Sequence, residues 1–288
     1  MRKVALLLDW IKFQHSIFAM PFALMSAILA LEGRLDSKKI LWILVAMVGA
    51  RSSAMGFNRI VDRDIDALNP RTKMRHLPAG LLRLTEAWAF VIVATAVFFF
   101  AAAQLNRLSL ILAPVALFVI WGYSTTKRFT AASHLVLGLA LGIAPAAAWI
   151  GIRGTLALPP ILLCVAVTLW TAGFDILYAC QDVEFDREMK LHSIPARIGI
   201  ANGLRVSSLF HALMFALLAL LPFSLPLVSN VRLGLFYGIG LVAAGASLLW
   251  QHRLVKPGDL SRLDAAFFTA NGLISILLFA FTILDVYF

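Results

Sequence analysis

Nine long apolar stretches separated by short polar loops limit this chain to one kind of architecture. They cover residues 15–31, 39–57, 85–104, 108–122, 134–151, 159–180, 204–223, 233–250 and 265–285. About 20 mainly apolar residues are needed for a helix to cross the hydrocarbon core of a bilayer. The expected fold is therefore all-α: a polytopic membrane protein, a bundle of nine transmembrane helices around a central cavity, with residues 1–288 as one domain. Composition agrees, since 61% of residues are hydrophobic and 14% charged, against about 45–50% and about 25% in an ordinary soluble domain. The stretch 108–122 is short. The stretch 134–151 carries Gly138, Gly142 and Pro145, small or kinking residues that suit close packing inside the bundle.

Basic residues set the orientation. With the N-terminus inside, 18 of the 25 Lys and Arg residues fall in cytoplasmic segments, six fall outside, and Arg51 lies within the second span. Cytoplasmic loops carry such an excess. The C-terminus is then exterior, and a prokaryotic inner membrane is the expected location. The net charge of +10 suits an anionic lipid surface and an anionic substrate. The basic residues are scattered through short loops and form no single stripe, which argues against nucleic acid. The opening residues, interrupted by Asp9, Trp10 and Lys12 with no small-residue cleavage site, read as neither signal nor transit peptide.

Two acid clusters follow the second and sixth spans, so both emerge on the cytoplasmic side. The first is Asn58-Arg-Ile-Val-Asp62-Arg-Asp-Ile-Asp66, and the second is Asp182-Val-Glu-Phe-Asp186. Each places carboxylates at i and i+4, on one face of a continuing helix. Like charges this close stay ionised only beside something positive. Mg²⁺ is the natural candidate, since it binds one or two carboxylates and shares its other positions with water and phosphate. Two such clusters facing each other would hold a Mg-diphosphate, and the Asn58 amide can bind a metal or a phosphate oxygen or hold a neighbouring carboxylate. Arg71, Lys73 and Arg75 follow the first cluster, and Tyr123, Lys127 and Arg128 end the fourth span. Arginine forks and lysine point charges suit phosphate oxygens. Arg59, Arg63 and Asp64 are expected to face solvent or headgroups. The offset of 120 residues between Asp62 and Asp182 hints at an old repeat.

Two charges lie deeper. Arg51 is seven residues before Asn58, and Asp175 is seven before Asp182, which puts each nearly two turns below its cluster. They either form a structural ion pair or line the cavity floor and orient a second substrate. His15 opens the first span in a packing or capping role. The other histidines have no zinc-ligand spacing. Cys164 and Cys180 read as small buried hydrophobes. Gly122 and Gly173 read as packing glycines, and a few of the 21 Phe residues are expected to line a tunnel for an isoprenoid tail.

Four stretches resemble the UbiA superfamily of intramembrane aromatic prenyltransferases: Asn58 to Asp66, Asn69 to Gly80, Tyr123 to Arg128 and Tyr178 to Asp186. The opening stretch Ile11 to Pro21 is also similar. The pattern is most similar to 4-hydroxybenzoate polyprenyltransferases and the related enzyme proposed for menaquinone assembly from futalosine. The haem O synthase branch fits less well. The resemblance implies that Asp62, Asp66, Asp182 and Asp186 hold Mg²⁺ on the diphosphate, with Asn58 in support and contacts from Arg75 and Lys127. It gives Tyr123 a polar partner role and places Arg51 and Asp175 near the aromatic acceptor. The second cluster has Tyr178 where the first has Asn58, so the two need not match in metal geometry.

The expected reaction is Mg-dependent transfer of a polyprenyl group to an aromatic acid such as 4-hydroxybenzoate through an allylic cation, in quinone biosynthesis. Metal and cations would stabilise the departing diphosphate, and a dry cavity would protect the cation. A base then removes the ring proton, and no residue is singled out for it. A naphthoate-type acceptor in menaquinone synthesis is the nearest alternative. A transporter with acidic coupling sites is the alternative from another class, but transporter acids sit near the midplane, whereas these clusters sit at span ends.

Overall fold

The computed structural model describes residues 6, 7, 9–11 and 19–288. The expectations for Arg2, Lys3, Lys12, His15 and the start of the first span fall outside the described residues. Among those residues the chain is helical, with one isolated bridge between Lys256 and Asp259. The long helices are α1 (Met20–Leu31), α2 (Ser37–Val61), α4 (Leu84–Leu105), α5 (Arg107–Thr126), α6 (Ser133–Arg153), α7 (Leu158–Ala179), α10 (Ile200–Ser224), α11 (Leu235–Leu254) and α12 (Ala270–Tyr287). Short helices α3 (Arg63–Leu68), α8 (Val183–Glu188) and α9 (Ile194–Ile198) fill two polar loops.

Seven of these helical segments are long and apolar enough to cross a membrane. The expected count of nine is met in part. In the first place stands α1, with 12 residues, and in the eighth stands α11, which ends in the polar run Gln251-His252-Arg253. Even so, α11 shows Leu235, Val242 and Leu249 to the surroundings, as a lipid-facing helix would. The short stretch 108–122 grows into the full helix α5, capped by Asn106, whose Oδ1 accepts from the Ser109 N–H at 2.9 Å.

The helices close into a ring. Helix α2 packs on α4 and α5, then contacts pass through α6, α7, α10, α11 and α12, and α1 closes the circuit against α12, α6 and α2. Nine residues of α1 are buried, all of Pro21 to Ala30 except Leu24, so this helix is enclosed on nearly every side. The core runs through Phe22, Trp149, Trp170, Met214 and Tyr237. Glycine sets the closest approach: a Cβ on Gly138 or Gly142 would run into the Thr168 backbone or side chain of α7. The Ser26 hydroxyl of α1 donates to the Pro145 carbonyl at 2.7 Å and ties α1 to α6, but α6 is a wall of the ring and not internal to the bundle, since Leu135 and Leu139 are exposed. Gly173 is likewise packed, against the His211 ring, but Gly122 meets nothing within 4 Å and is not a packing glycine. Both cysteines are free thiols.

Candidate active site

Neither acid cluster sits on a continuing helix. Helix α2 stops at Val61, Asp62 caps it, and the chain restarts as α3. The ridge survives because Asp62 N–H donates to the Asn58 carbonyl at 2.9 Å and Asp66 N–H to the Asp62 carbonyl at 2.8 Å. After α7 a tight turn over Cys180–Asp182 leads into α8, which carries Asp186. Both breaks lie where apolar sequence gives way to charge, and both turn their carboxylates inward.

Those carboxylates line one cavity of about 330 Å³, within the range of ligand sites. Ten of the twelve expected site residues line it: Asn58, Asp62, Asp66, Arg71, Arg75, Tyr123, Lys127, Asp175, Asp182 and Asp186. The acids meet cations from other elements. Lys127 Nζ lies 3.1 Å from Asp62 Oδ2, and Asn58 Nδ2 donates to the same oxygen at 3.1 Å. Arg75 Nη1 reaches both Asp66 oxygens, at 2.6 and 2.7 Å. Arg71 forks onto Asp182 at 3.0 and 2.7 Å, joining the two clusters across the cavity. Its guanidinium also lies 5.5 Å from the Tyr178 ring centroid, so Tyr178 supplies a cation–π platform where the first cluster has an amide. Burial opposes the Arg71 charge, and the Asp182 carboxylate outweighs it, holding Arg71 above the ordinary arginine value. The loop carrying Arg71 is fixed by Asn69 Oδ1, which accepts from Arg71 N–H at 2.9 Å, and by the Thr72 hydroxyl, which donates to the Asp66 carbonyl at 3.0 Å.

Two expected residues lie elsewhere. Arg128 is turned to the end of α2, where Nη2 donates to the Val61 carbonyl at 2.7 Å and reaches Asp62 at 3.5 Å. Arg51 does not line the cavity, and its Nε is buried without a hydrogen-bond partner. The Arg51–Asp175 ion pair does not form. Helix α2 packs on α4 and α5, while α7 packs on α6 and α10, so the two charges belong to different walls. Asp175 pairs instead with His134, Nδ1 to Oδ2, at 2.6 Å.

Sequence reasoning missed several lining residues. Arg59, expected to face outward, is 8% exposed and lines the cavity. A rotation of about 100° per residue puts Arg59 only about 20° from Asp66 on an ideal helix, a signal that four-residue steps alone conceal. Arg63 and Asp64 do stand outside, paired with each other. His134 and His192 also line the cavity, from the start of α6 and the α8–α9 loop. So do Phe267 and Phe268, held by a π-helical turn over Ala265–Thr269 at the head of α12. Gln251 Nε2 donates to the Ala266 carbonyl of that turn at 2.7 Å, and Asn271 Nδ2 to the Phe267 carbonyl at 2.7 Å. Turns of this kind are frequent at functional sites.

The donor set fits a hard divalent cation. Among the described residues no three His, Cys, Asp or Glu side chains stand close enough to share one ion. Mg²⁺ asks for less, one or two carboxylates completed by water and phosphate oxygens. The facing pairs Asp62/Asp66 and Asp182/Asp186 meet that requirement, with cations beside them for an anionic ligand.

Residues 19–273 match the model of the UbiA prenyltransferase family. A 4-hydroxybenzoate octaprenyltransferase of Nitrosospira multiformis is 31% identical over 259 residues, covering 89% of this chain and 86% of the relative. The apo structure of a UbiA homologue from Aeropyrum pernix K1 superposes with a TM-score of 0.84 at 32% identity, over 94% of this chain and 98% of that one. A UbiA homologue from Archaeoglobus fulgidus, bound to DMAPP and Mg²⁺, shares the fold with a TM-score of 0.75 at 20% identity, over 97% and 98% of the two chains.

Proposed function

Because the chain belongs to the UbiA prenyltransferase family and is itself a prenyltransferase, we propose that it moves a polyprenyl group from an allylic diphosphate to an aromatic acid of the 4-hydroxybenzoate type. The observation that carries this reading is the convergence of both acid clusters and of Arg71, Arg75 and Lys127 on one cavity. Mg²⁺, held through Asp62, Asp66, Asp182 and Asp186 with Asn58 in support, would neutralise charge on the diphosphate. Arg71, Arg75 and Lys127 then orient the diphosphate oxygens and take up the charge that grows as the allylic C–O bond breaks. Their carboxylate partners hold them in place before substrate arrives. Tyr123 supplies a polar hydroxyl on the α5 side of the cavity. Met55, Ile65, Leu137, Phe267 and Phe268 give the wall an apolar portion that keeps water from the reacting carbon. The acceptor lies deeper, beside Asp175, with Arg51 beyond the wall.

The cluster side of the molecule faces the cytoplasm in this reading, as the basic loops require. Incubating membranes with Mg²⁺, a labelled polyprenyl diphosphate and a panel of phenolic and naphthoic acids tests it. A prenylated 4-hydroxybenzoate supports the proposal, a prenylated naphthoate redirects it to the other acceptor class, and no aromatic product rejects it.

A further inference from the structure

The carboxylates of the cavity are not held alike. Asp62 meets Lys127 and Arg128, Asp66 meets Arg75, and Asp182 meets Arg71. Asp186 lines the cavity alongside Asp182 and carries no ion pair among the described residues. Asp175 is held by a histidine whose tautomer is fixed. The backbone N–H of Ile194 donates to His134 Nε2 at 3.1 Å, so that nitrogen carries no proton. The proton then sits on Nδ1, which donates to Asp175 Oδ2 at 2.6 Å. His134 is only 3% exposed, while the Asp175 side chain is 28% exposed and lines the cavity.

Asp62, Asp66 and Asp182 have both oxygens taken up by cations, whereas among the described residues Asp175 is engaged at Oδ2 alone, which leaves Oδ1 to accept a proton. Asp175 also lies at the right depth. It is seven residues before Asp182 on α7, about 10 Å further into the bundle at the helical rise. That is below the diphosphate site, where an acceptor ring must lie to meet the allylic carbon.

Resting on the proposed function, we infer that Asp175 is the base that takes the ring proton, and that His134 is the residue that positions it. As the C1–O bond to diphosphate breaks, a ring π pair forms the new C–C bond to C1. The C–H pair at that ring carbon then returns to the ring, restoring aromaticity, and the proton passes to the second Asp175 oxygen, Oδ1. Asp175 becomes a carboxylic acid and gives its proton to water when product leaves. Electrons and atoms balance with no further reactant. His134 touches no substrate. It fixes the direction of the carboxylate and ties that direction to the 191–194 segment through Ile194.

The test uses the purified full chain with Mg²⁺, a polyprenyl diphosphate, and 4-hydroxybenzoate carrying hydrogen or deuterium on the ring. Wild type should show an isotope effect on kcat near unity, because ring deprotonation follows a slower ionisation. Asp175→Asn should lower the rate of aromatic prenylation by about 10² or more, with KM for prenyl diphosphate little changed and an isotope effect well above unity. His134→Phe should lower it by about tenfold with the same isotope signature. His134→Asn, which keeps an N–H donor, should recover part of that loss. An isotope effect that stays near unity in both Asp175→Asn and His134→Phe overturns the assignment, as does near-normal turnover in Asp175→Asn. If Asp175→Asn does not fold, the isotope effect in His134→Phe decides alone. A wild type that prenylates no phenolic acid refutes the proposed function instead, so the two failures are told apart.

Discussion

Arg59→Gln should have opposite effects on binding and on stability. Arg59 is 8% exposed on the cavity wall. The acids nearest it are already engaged: Asp66 by Arg75 through both oxygens, and Asp62 by Lys127, Arg128 and Asn58. Among the described residues it makes no hydrogen bond or ion pair of its own, and Arg75 adds like charge beside it. A buried cation in that state destabilises the free protein and favours an arriving anion. Hydrogen bonds to charged groups contribute about 1.5–3 kcal/mol each, and every 1.4 kcal/mol is about tenfold in affinity. Arg59→Gln should thus raise the Kd for polyprenyl diphosphate by about 10- to 100-fold, while Tm in detergent stays the same or rises. Isothermal titration with Mg²⁺ present and aromatic acceptor absent measures the first, and a thermal melt the second. A Kd within about twofold of wild type, together with a lowered Tm, would show that Arg59 holds the fold and not the ligand.

Gly138→Ala should destabilise the detergent-solubilised protein by about 1–3 kcal/mol, because its Cβ meets the α7 backbone. Gly122→Ala, with nothing within 4 Å, should stabilise by about 0.5–1 kcal/mol, and paired thermal melts check both signs. Because Asp175 pairs with His134 and not with Arg51, combining Arg51→Ala with Asp175→Ala should give additive losses of folded yield, and mutual rescue would refute that pairing. A reporter fused after Phe288 should behave as exterior and one before Met1 as cytoplasmic. Any other result would require the side assigned to the cavity to be redrawn.

The spans were legible because lipid forces long apolar runs into helices, whatever their detailed packing. Their ends were less so. Helix α5 continues four residues past 122 to Thr126, since Thr125 and Thr126 satisfy their hydroxyls on the helix itself, on the Gly122 carbonyl at 2.9 Å and the Tyr123 carbonyl at 2.6 Å. The acid clusters were legible because carboxylates at i and i+4 mark one face even where the helix breaks at Asp62. The His134–Asp175 pair was not, because its members are 41 residues apart on separate helices with no motif linking them. Depth alone suggested Arg51 as the Asp175 partner. Only the ring order, with α6 beside α7 and α2 on another wall, decides between them. The aromatic wall of Phe267 and Phe268 was hidden for a related reason. The π-helical turn takes a donor from another helix, Gln251, and one from Asn271 four residues along the chain, neither of which hydropathy records.

The central claim is metal-assisted transfer of a prenyl group at the cavity between the two acid clusters. The most direct measurement follows aromatic prenylation by the purified chain, with Mg²⁺ or with excess EDTA, in wild type and in Asp62→Ala and Asp182→Ala. The account predicts C-prenylated aromatic acid with Mg²⁺, none with EDTA, and a loss of about 10² or more in each variant. Undiminished turnover in EDTA, or near-normal turnover in either variant, would contradict it.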